Sequence, residues 1–189
     1  MSVSTRNALL HAAERLVRSR GYSAFSYADL ADEVGITKAS IHHHFPTKAD
    51  LGNALVDNYV DQIRELMTSI ESTETTSVAR LRAYGSIYVS SVRQGSLCLC
   101  GILSAEAVVL PRPLQDRLRM FFRDQISWLE RVLAEGLANK ELRLPHNPVR
   151  SAEHFLSTLQ GSTLVGWAMR DHKIISRAVD DALTGMIRA

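Results

Sequence analysis

The chain has 189 residues, room for one medium domain or for a small head plus a larger body. With a formal net charge of +2 the molecule as a whole is not a polybasic nucleic-acid binder, and no apolar run approaches the ~20 residues of a membrane span or forms the stretch of a secretory leader. The only cysteines, Cys98 and Cys100, stand too close together to staple a fold, so a reducing, cytoplasmic setting is expected.

Helical periodicity recurs along the chain, and no strand alternation emerges. Residues 4–20 place Leu9, Ala12, Ala13, Leu16 and Val17 on one stripe that Gly21 ends. The same stretch holds Arg6, Arg15, Arg18 and Arg20 against Glu14, a local basic surface suited to phosphates. Residues 26–48 read as two short helices joined by a tight turn. Leu30, Ala31 and Val34 form an apolar patch on the first. Gly35 supplies the turn, Ile36 plugs the corner and Thr37 caps the second helix. That helix runs from Lys38 to about His44, with Ile41 and Phe45 facing inward, and Pro46 ends it. This is the helix-turn-helix pattern, whose second helix enters the DNA major groove. Lys38 is cationic, and Ala39 and Ser40 are small enough for a base edge to approach. His42, His43 and His44 are donors and partial cations, and Lys48 opens the next helix.

That next helix, capped by Thr47, spans 48–70 on Leu51, Leu55, Tyr59, Ile63, Leu66 and Ile70. At 1.5 Å per residue it reaches ~35 Å, long enough to connect a head to a body. A polar break covers 71–76. Helix five carries Leu81, Tyr84, Tyr88 and Val92 and ends near Gly95. Helix six covers 97–110, and helix seven follows Pro111 and Pro113 as far as Ala138. Helices eight and nine are expected over 148–170 and 174–187. The last presents Ile175, Ala178, Val179, Ala182, Leu183, Met186 and Ile187, a stripe longer than one small body is expected to cover. The fold class is therefore all-α, with about nine helices.

Three consecutive histidines point about 100° apart on a helix and cannot converge on one metal ion, which needs i, i+4 spacing. Cys98 and Cys100 face opposite sides of a helix and are poorly placed for a mutual disulfide. They read as small buried apolar residues or as a sensing thiol. Tyr84, Tyr88, Phe121, Trp128 and Trp167 are core aromatics that also suit the wall of a ligand cavity. Glu106, inside an apolar stretch, either orients a ligand or is a solvated helix residue. No glycine-rich phosphate loop, paired metal motif or nucleophile elbow is present, so neither an enzyme nor a cofactor is expected.

Residues 12–22 and 26–51 carry a resemblance to a known family. Ala12-Ala13, Leu16-Val17 and Gly21-Tyr22 fit it, as do Gly35, Ile36, Thr37, Ile41, His44-Phe45-Pro46-Thr47-Lys48, Asp50 and Leu51. This segment resembles the head of the TetR family of bacterial transcriptional repressors. His42 stands where that family usually has Tyr, a phosphate-contacting residue; histidine also donates to phosphate but is shorter. Residues 98–106 resemble one subgroup of the family's ligand-binding bodies.

The resemblance implies a helix-turn-helix head over 1–47 and an effector-binding, dimerising body over 48–189, with helix 48–70 as connector. It implies that Ser26, Tyr27, Thr37, Lys38, Ala39, Ser40, His42, His43 and Lys48 face DNA. It implies a pseudo-palindromic duplex operator, a homodimer through 148–170 and 174–187, and a small-molecule effector that releases the operator. Met67, near the far end of the connector, joins Tyr84, Tyr88, Cys98, Glu106, Phe121, Trp128 and Trp167 as an effector-site candidate. A helical small-molecule carrier, or a thiol sensor acting through Cys98 or Cys100, is the alternative.

Overall fold

A computed structural model describes residues 4–187. Among these residues the chain forms nine α-helices, and the one extended pairing is an isolated bridge between Leu142 and Ile187. In order they are α1 (Thr5–Arg20), α2 (Tyr27–Val34), α3 (Lys38–His44), α4 (Lys48–Thr73), α5 (Ser77–Arg93), α6 (Leu99–Ala105), α7 (Arg112–Ala138), α8 (Pro148–Ala168) and α9 (Lys173–Thr184).

Side-chain caps set most of the helix starts. The hydroxyls of Ser4, Thr37 and Thr76 accept from the N–H three residues on, and Asn147 does the same ahead of Pro148. Ser26 and Asp29 form a reciprocal capping box at α2. Thr47 and Asp50 repeat that exchange at α4, each accepting from the other's backbone N–H at 3.0–3.1 Å. Gly35 ends α2 in the left-handed region at φ 74°, where a side chain would be strained.

Three boundaries differ from the periodicity. The connector α4 continues through the polar stretch to Thr73 because Glu71 is held by the Trp128 indole and by Arg131. The stretch expected as one sixth helix is a short α6 followed by a 3₁₀ turn at Ala107–Val109. Leu110, which precedes Pro111, is extended there, as a residue before proline prefers. The last helix stops at Thr184, and the Met186 carbonyl accepts from Arg143 N–H at 2.7 Å instead of continuing the helix.

The chain divides into two compact units. One contains the residues up to Gln62 together with Cys98–Met120; the other contains Ile63–Leu97 and the chain from Phe121 onward. The first unit closes around Leu9, Phe25, Leu30, Ile41, Leu55 and Leu99, all at most 2% exposed. In the second, α5, α8 and α9 pack on one another. A Cβ on Gly85 of α5 would lie 2.8 Å from Val179 Cγ1 of α9, so glycine is what allows this approach.

That packing corrects the reading of the last helix. Ile175, Val179 and Leu183 are at most 5% exposed within a single chain, so this part of the α9 stripe belongs to the chain's own core. Ile187, from the end of the stripe, is 38% exposed, and α8 carries the exposed apolar residues Leu164 (49%), Val165 (53%) and Trp167 (40%).

Candidate nucleic-acid interface

The helix-turn-helix lies in the first unit. Ile41 is fully buried and Phe45 nearly so, which anchors α3 by one face. Its other face carries Thr37, Lys38, Ala39, His42 and His43, all exposed, with Ser40 half-buried. The Thr37 and Ser26 hydroxyls already serve as helix caps. Tyr27 donates its hydroxyl to the Phe45 carbonyl at 2.9 Å and packs its ring 4.9 Å from that of His42. Burial, with help from Asp50 and Tyr22, pushes the Tyr27 hydroxyl up to about 12, so it remains a donor at any working pH. His43 lies edge-on to His44, their rings 5.5 Å apart.

Lys48 is not where a purely surface cation would be. Its ammonium donates to the Phe25 carbonyl and sits 4.4 Å from the Phe25 ring centroid and 4.7 Å from that of Tyr22. The Tyr22 hydroxyl in turn donates to the Lys48 carbonyl at 2.9 Å. Partial burial lowers the Lys48 ammonium's pKa, against the opposing pull of Glu106 and Asp29. The basic surface expected from α1 is also largely spoken for. Arg15 pairs with Glu33, Arg18 with Glu14 and Arg20 with Asp29, while Arg6 lies over the Phe45 ring. Lys38 is therefore the exposed cation of the α3 face, flanked by imidazoles.

Glu106, an effector-site candidate, binds protein backbone in this same unit. Its carboxylate accepts from Tyr22 N–H at 2.7 Å and Ser23 N–H at 2.9 Å, closing the loop between α1 and α2. Burial pulls its pKa up, but the Ser23 and Tyr22 hydrogen bonds and the nearby Lys48 charge outweigh that, and the carboxyl titrates below its ordinary range.

Cys98 and Cys100 are also in the first unit, both buried. Cys98 is the residue before α6 and accepts from the Tyr59 hydroxyl at 3.6 Å. Burial, then Cys98, pushes the Cys100 thiol well above its ordinary range, with Arg18 pulling the other way. A buried, protonated thiol is a poor nucleophile, which favours the structural reading of Cys100.

Of the remaining effector-site candidates, three come together. Tyr84 stacks on Trp128 at 5.3 Å and meets Tyr88 at 5.7 Å. Two residues that were not singled out complete this group. Gln125 accepts from the Tyr84 hydroxyl at 2.8 Å, and Gln160 donates to the Tyr88 hydroxyl at 3.2 Å. Gln125 had a visible signal: it occupies an i, i+4, i+7 core line between Phe121 and Trp128 and Val132, where a polar residue needs a partner. Met67 and Phe121 are buried in the same unit, whereas Trp167 lies at the surface of α8. A surface hollow of about 930 Å³ by the α7–α8 loop, lined by Leu137, Leu142, Arg143, Leu144, Pro145, Gly185 and Ile187, involves none of these candidates.

Comparison with known proteins agrees with the α2–α3 geometry. The sequence model for bacterial regulatory proteins of the tetR family matches residues 9–55, which contain the whole helix-turn-helix. A TetR-family transcriptional regulator from Agrobacterium tumefaciens is 32% identical, with a TM-score of 0.94 over 97% of both chains. The transcriptional repressor NemR of Escherichia coli K12 is 25% identical over 182 residues, 93% of this chain and 90% of that protein. The reduced form of E. coli NemR superposes with a TM-score of 0.85 over 97% of both chains, at 25% identity. The nucleoid occlusion factor SlmA of Vibrio cholerae is 25% identical over 99% of this chain and 95% of that protein. The similarity runs the length of the chain and is anchored on the helix-turn-helix: this protein belongs to the TetR family of bacterial transcriptional regulators.

Proposed function

We propose that the protein is a ligand-responsive repressor that binds a pseudo-palindromic duplex operator as a homodimer and releases it when a small molecule binds the body. The observation that carries this reading is the exposed face of α3. Lys38, Ala39, His42 and His43 project from a helix whose other side is locked by Ile41 and Phe45. Residues 1–47 act as the reading head, with Ser26, Tyr27, Thr37, Ser40 and Lys48 supporting or joining the contact. One short helix reads too few base pairs to find a site in a genome, so two heads are needed. The exposed α8 residues Leu164, Val165 and Trp167 supply an apolar surface for a second copy. The name of the E. coli relative, a repressor, supports repression here. The setting is cytoplasmic.

The effector is an apolar or amphipathic molecule taken up among Tyr84, Tyr88 and Trp128, near Met67 and Phe121, with Gln125 as the polar handle. Its binding acts through α4 on the head. The test is reciprocity. A compound from an amphipathic aromatic panel that raises the melting temperature is titrated with and without saturating operator duplex. Coupling of about 1–3 kcal/mol weakens its binding roughly 5–150-fold when operator is present. Equal affinities contradict the release mechanism. A protein that binds such compounds but selects no DNA sequence is a carrier instead.

A further inference from the structure

We propose that His42 makes operator binding proton-coupled: each head takes up a proton at the His42 imidazole when it engages DNA, and operator affinity falls as pH rises. This rests on the DNA-binding reading of the α3 face and adds a regulatory input to it.

The argument starts from one hydrogen bond. His42 Nδ1 lies 3.0 Å from the Pro46 carbonyl oxygen. A carbonyl only accepts, so Nδ1 must carry the hydrogen. In the neutral imidazole this leaves Nε2 as a lone-pair acceptor. His42 is exposed, and Nε2 is on the far side of the ring from Nδ1 and Pro46. A phosphate oxygen is also only an acceptor. Neutral His42 therefore presents the wrong end of a hydrogen bond to DNA. Protonation at Nε2 turns it into a charge-assisted donor without disturbing the Pro46 contact. The other tautomer, which would place a hydrogen at Nε2 without net charge, forfeits the bond that orients the ring.

The surroundings leave this proton in control. From α2, the Tyr27 ring packs 4.9 Å from the imidazole, and its hydroxyl is committed to the Phe45 carbonyl. From α4, Asp50 is tied to Thr47, and Lys48 is turned toward Phe25. From α1, Arg6 lies over the Phe45 ring. On α3 itself, Lys38 is one turn before His42, and His43 and His44 follow it. With the α1 arginines Arg15, Arg18 and Arg20 already paired, fixed positive charge on the reading face is scarce. One added proton per head then changes the phosphate attraction substantially. Histidine is the side chain whose ordinary titration falls between about pH 5 and 8.

The sign follows from linkage. Binding that prefers the imidazolium raises the proton affinity of His42 in the complex. Affinity is full at low pH and is lost as pH rises through the value that holds in the complex. The limiting slope of log K against pH is about −1 per head, so roughly −2 for a dimer on two half-sites.

The test uses the full chain and a duplex that it selects from a random-sequence pool at about pH 6. Affinity is measured between about pH 5.5 and 8 at constant salt for wild type, His42→Tyr and His43→Gln. Wild type is expected to lose about tenfold per head across this range. His42→Tyr, whose hydroxyl donates at every pH in the range, is expected to flatten the profile and bind more tightly than wild type at the alkaline end. His43→Gln is expected to keep the slope. Nitrogen-15 spectra of histidine-labelled wild type provide a readout that does not depend on a variant folding. Bound to the duplex at about pH 6, His42 should carry hydrogen on both nitrogens. A flat wild-type profile, a slope that survives His42→Tyr, or a bound His42 protonated on Nδ1 alone overturns the proposal. Failure of wild type to enrich or bind any duplex at any pH overturns the DNA-binding reading itself.

Discussion

The Glu106 carboxylate accepts from the Tyr22 backbone N–H at 2.7 Å, tying the segment after α6 to the loop that leads into the helix-turn-helix. The same carboxylate takes the Ser23 N–H. Two loop donors are thus satisfied by one side chain 83 and 84 positions away in sequence. Removing it is expected to cost about 1–2 kcal/mol, the lower part of the range for hydrogen bonds to a charged group, because water reaches this partly exposed site.

Glu106→Ala should show that cost in urea melts near neutral pH, with a pH signature. The folded-state carboxyl titrates below its ordinary value of 4.5, so its contribution is present above that value and is lost as pH falls through the folded value. The gap between wild type and variant should therefore shrink on acidification to about pH 3.5. A gap that does not change with pH would mean that the carboxylate charge is not what holds the loop.

Gly21 reports on the same contact from the other side. Its φ is 88°, and a Cβ there would lie 2.6 Å from Glu106 Oε1. Gly21→Ala is expected to cost about 1–3 kcal/mol through backbone strain and the displaced carboxylate. In a Glu106→Ala background the collision is gone and only the strain remains. A double-mutant cycle should give a coupling of at least ~0.5 kcal/mol, and strict additivity would separate the two residues.

The two lysines of the head should behave differently in salt. Lys38→Ala should reduce the slope of log K against log salt by about one per head, as loss of a phosphate contact does. Lys48→Met should leave most of that slope but lower stability by about 1–2 kcal/mol, because the ammonium serves the Tyr22 and Phe25 rings and the Phe25 carbonyl. A large slope change with unaltered stability would put Lys48 at a phosphate instead.

Much of the head was legible locally. Gly35, Thr37, Ile41, Phe45 and Pro46 each act on neighbours within a few residues, and the α2–α3 boundaries follow from their chemistry. The fate of Lys48 was not legible, because its partners Tyr22 and Phe25 precede it by more than twenty positions. Glu106 stood out as a polar residue in an apolar stretch, but its partners are backbone N–H groups, which leave no trace in side-chain pattern. The α9 stripe is apolar as its periodicity indicates, and Ile175, Val179, Leu183 and Met186 are covered by the chain's own core, whereas Ala178, Ala182 and Ile187 are not fully buried. Periodicity reports which face is buried but not whether the protomer or a partner buries it. Gly85, whose missing side chain admits Val179, shows that α9 packs on α5 of its own chain, a contact that periodicity does not reveal.

The proposed dimer surface can be tested on that contrast. Val165→Glu on α8 is expected to leave monomer folding nearly unchanged, since Val165 is 53% exposed, and to split the dimer in sedimentation experiments. Leu183→Glu places a carboxylate at a site with no exposure and is expected to destabilise the protomer by at least about 3 kcal/mol. A monomeric but fully stable Leu183→Glu protein would return the interface to α9.

The central claim is that two copies of the α3 face read one duplex, and footprinting tests it most directly. A duplex that the protein enriches from a random pool is probed for protection with the protein bound. The expected result is two protected major-groove segments in inverted orientation, centred about 34–36 Å apart or a neighbouring multiple, with protection lost in Lys38→Ala. Enrichment of no sequence, or protection of a single segment that Lys38→Ala leaves unchanged, would contradict the account.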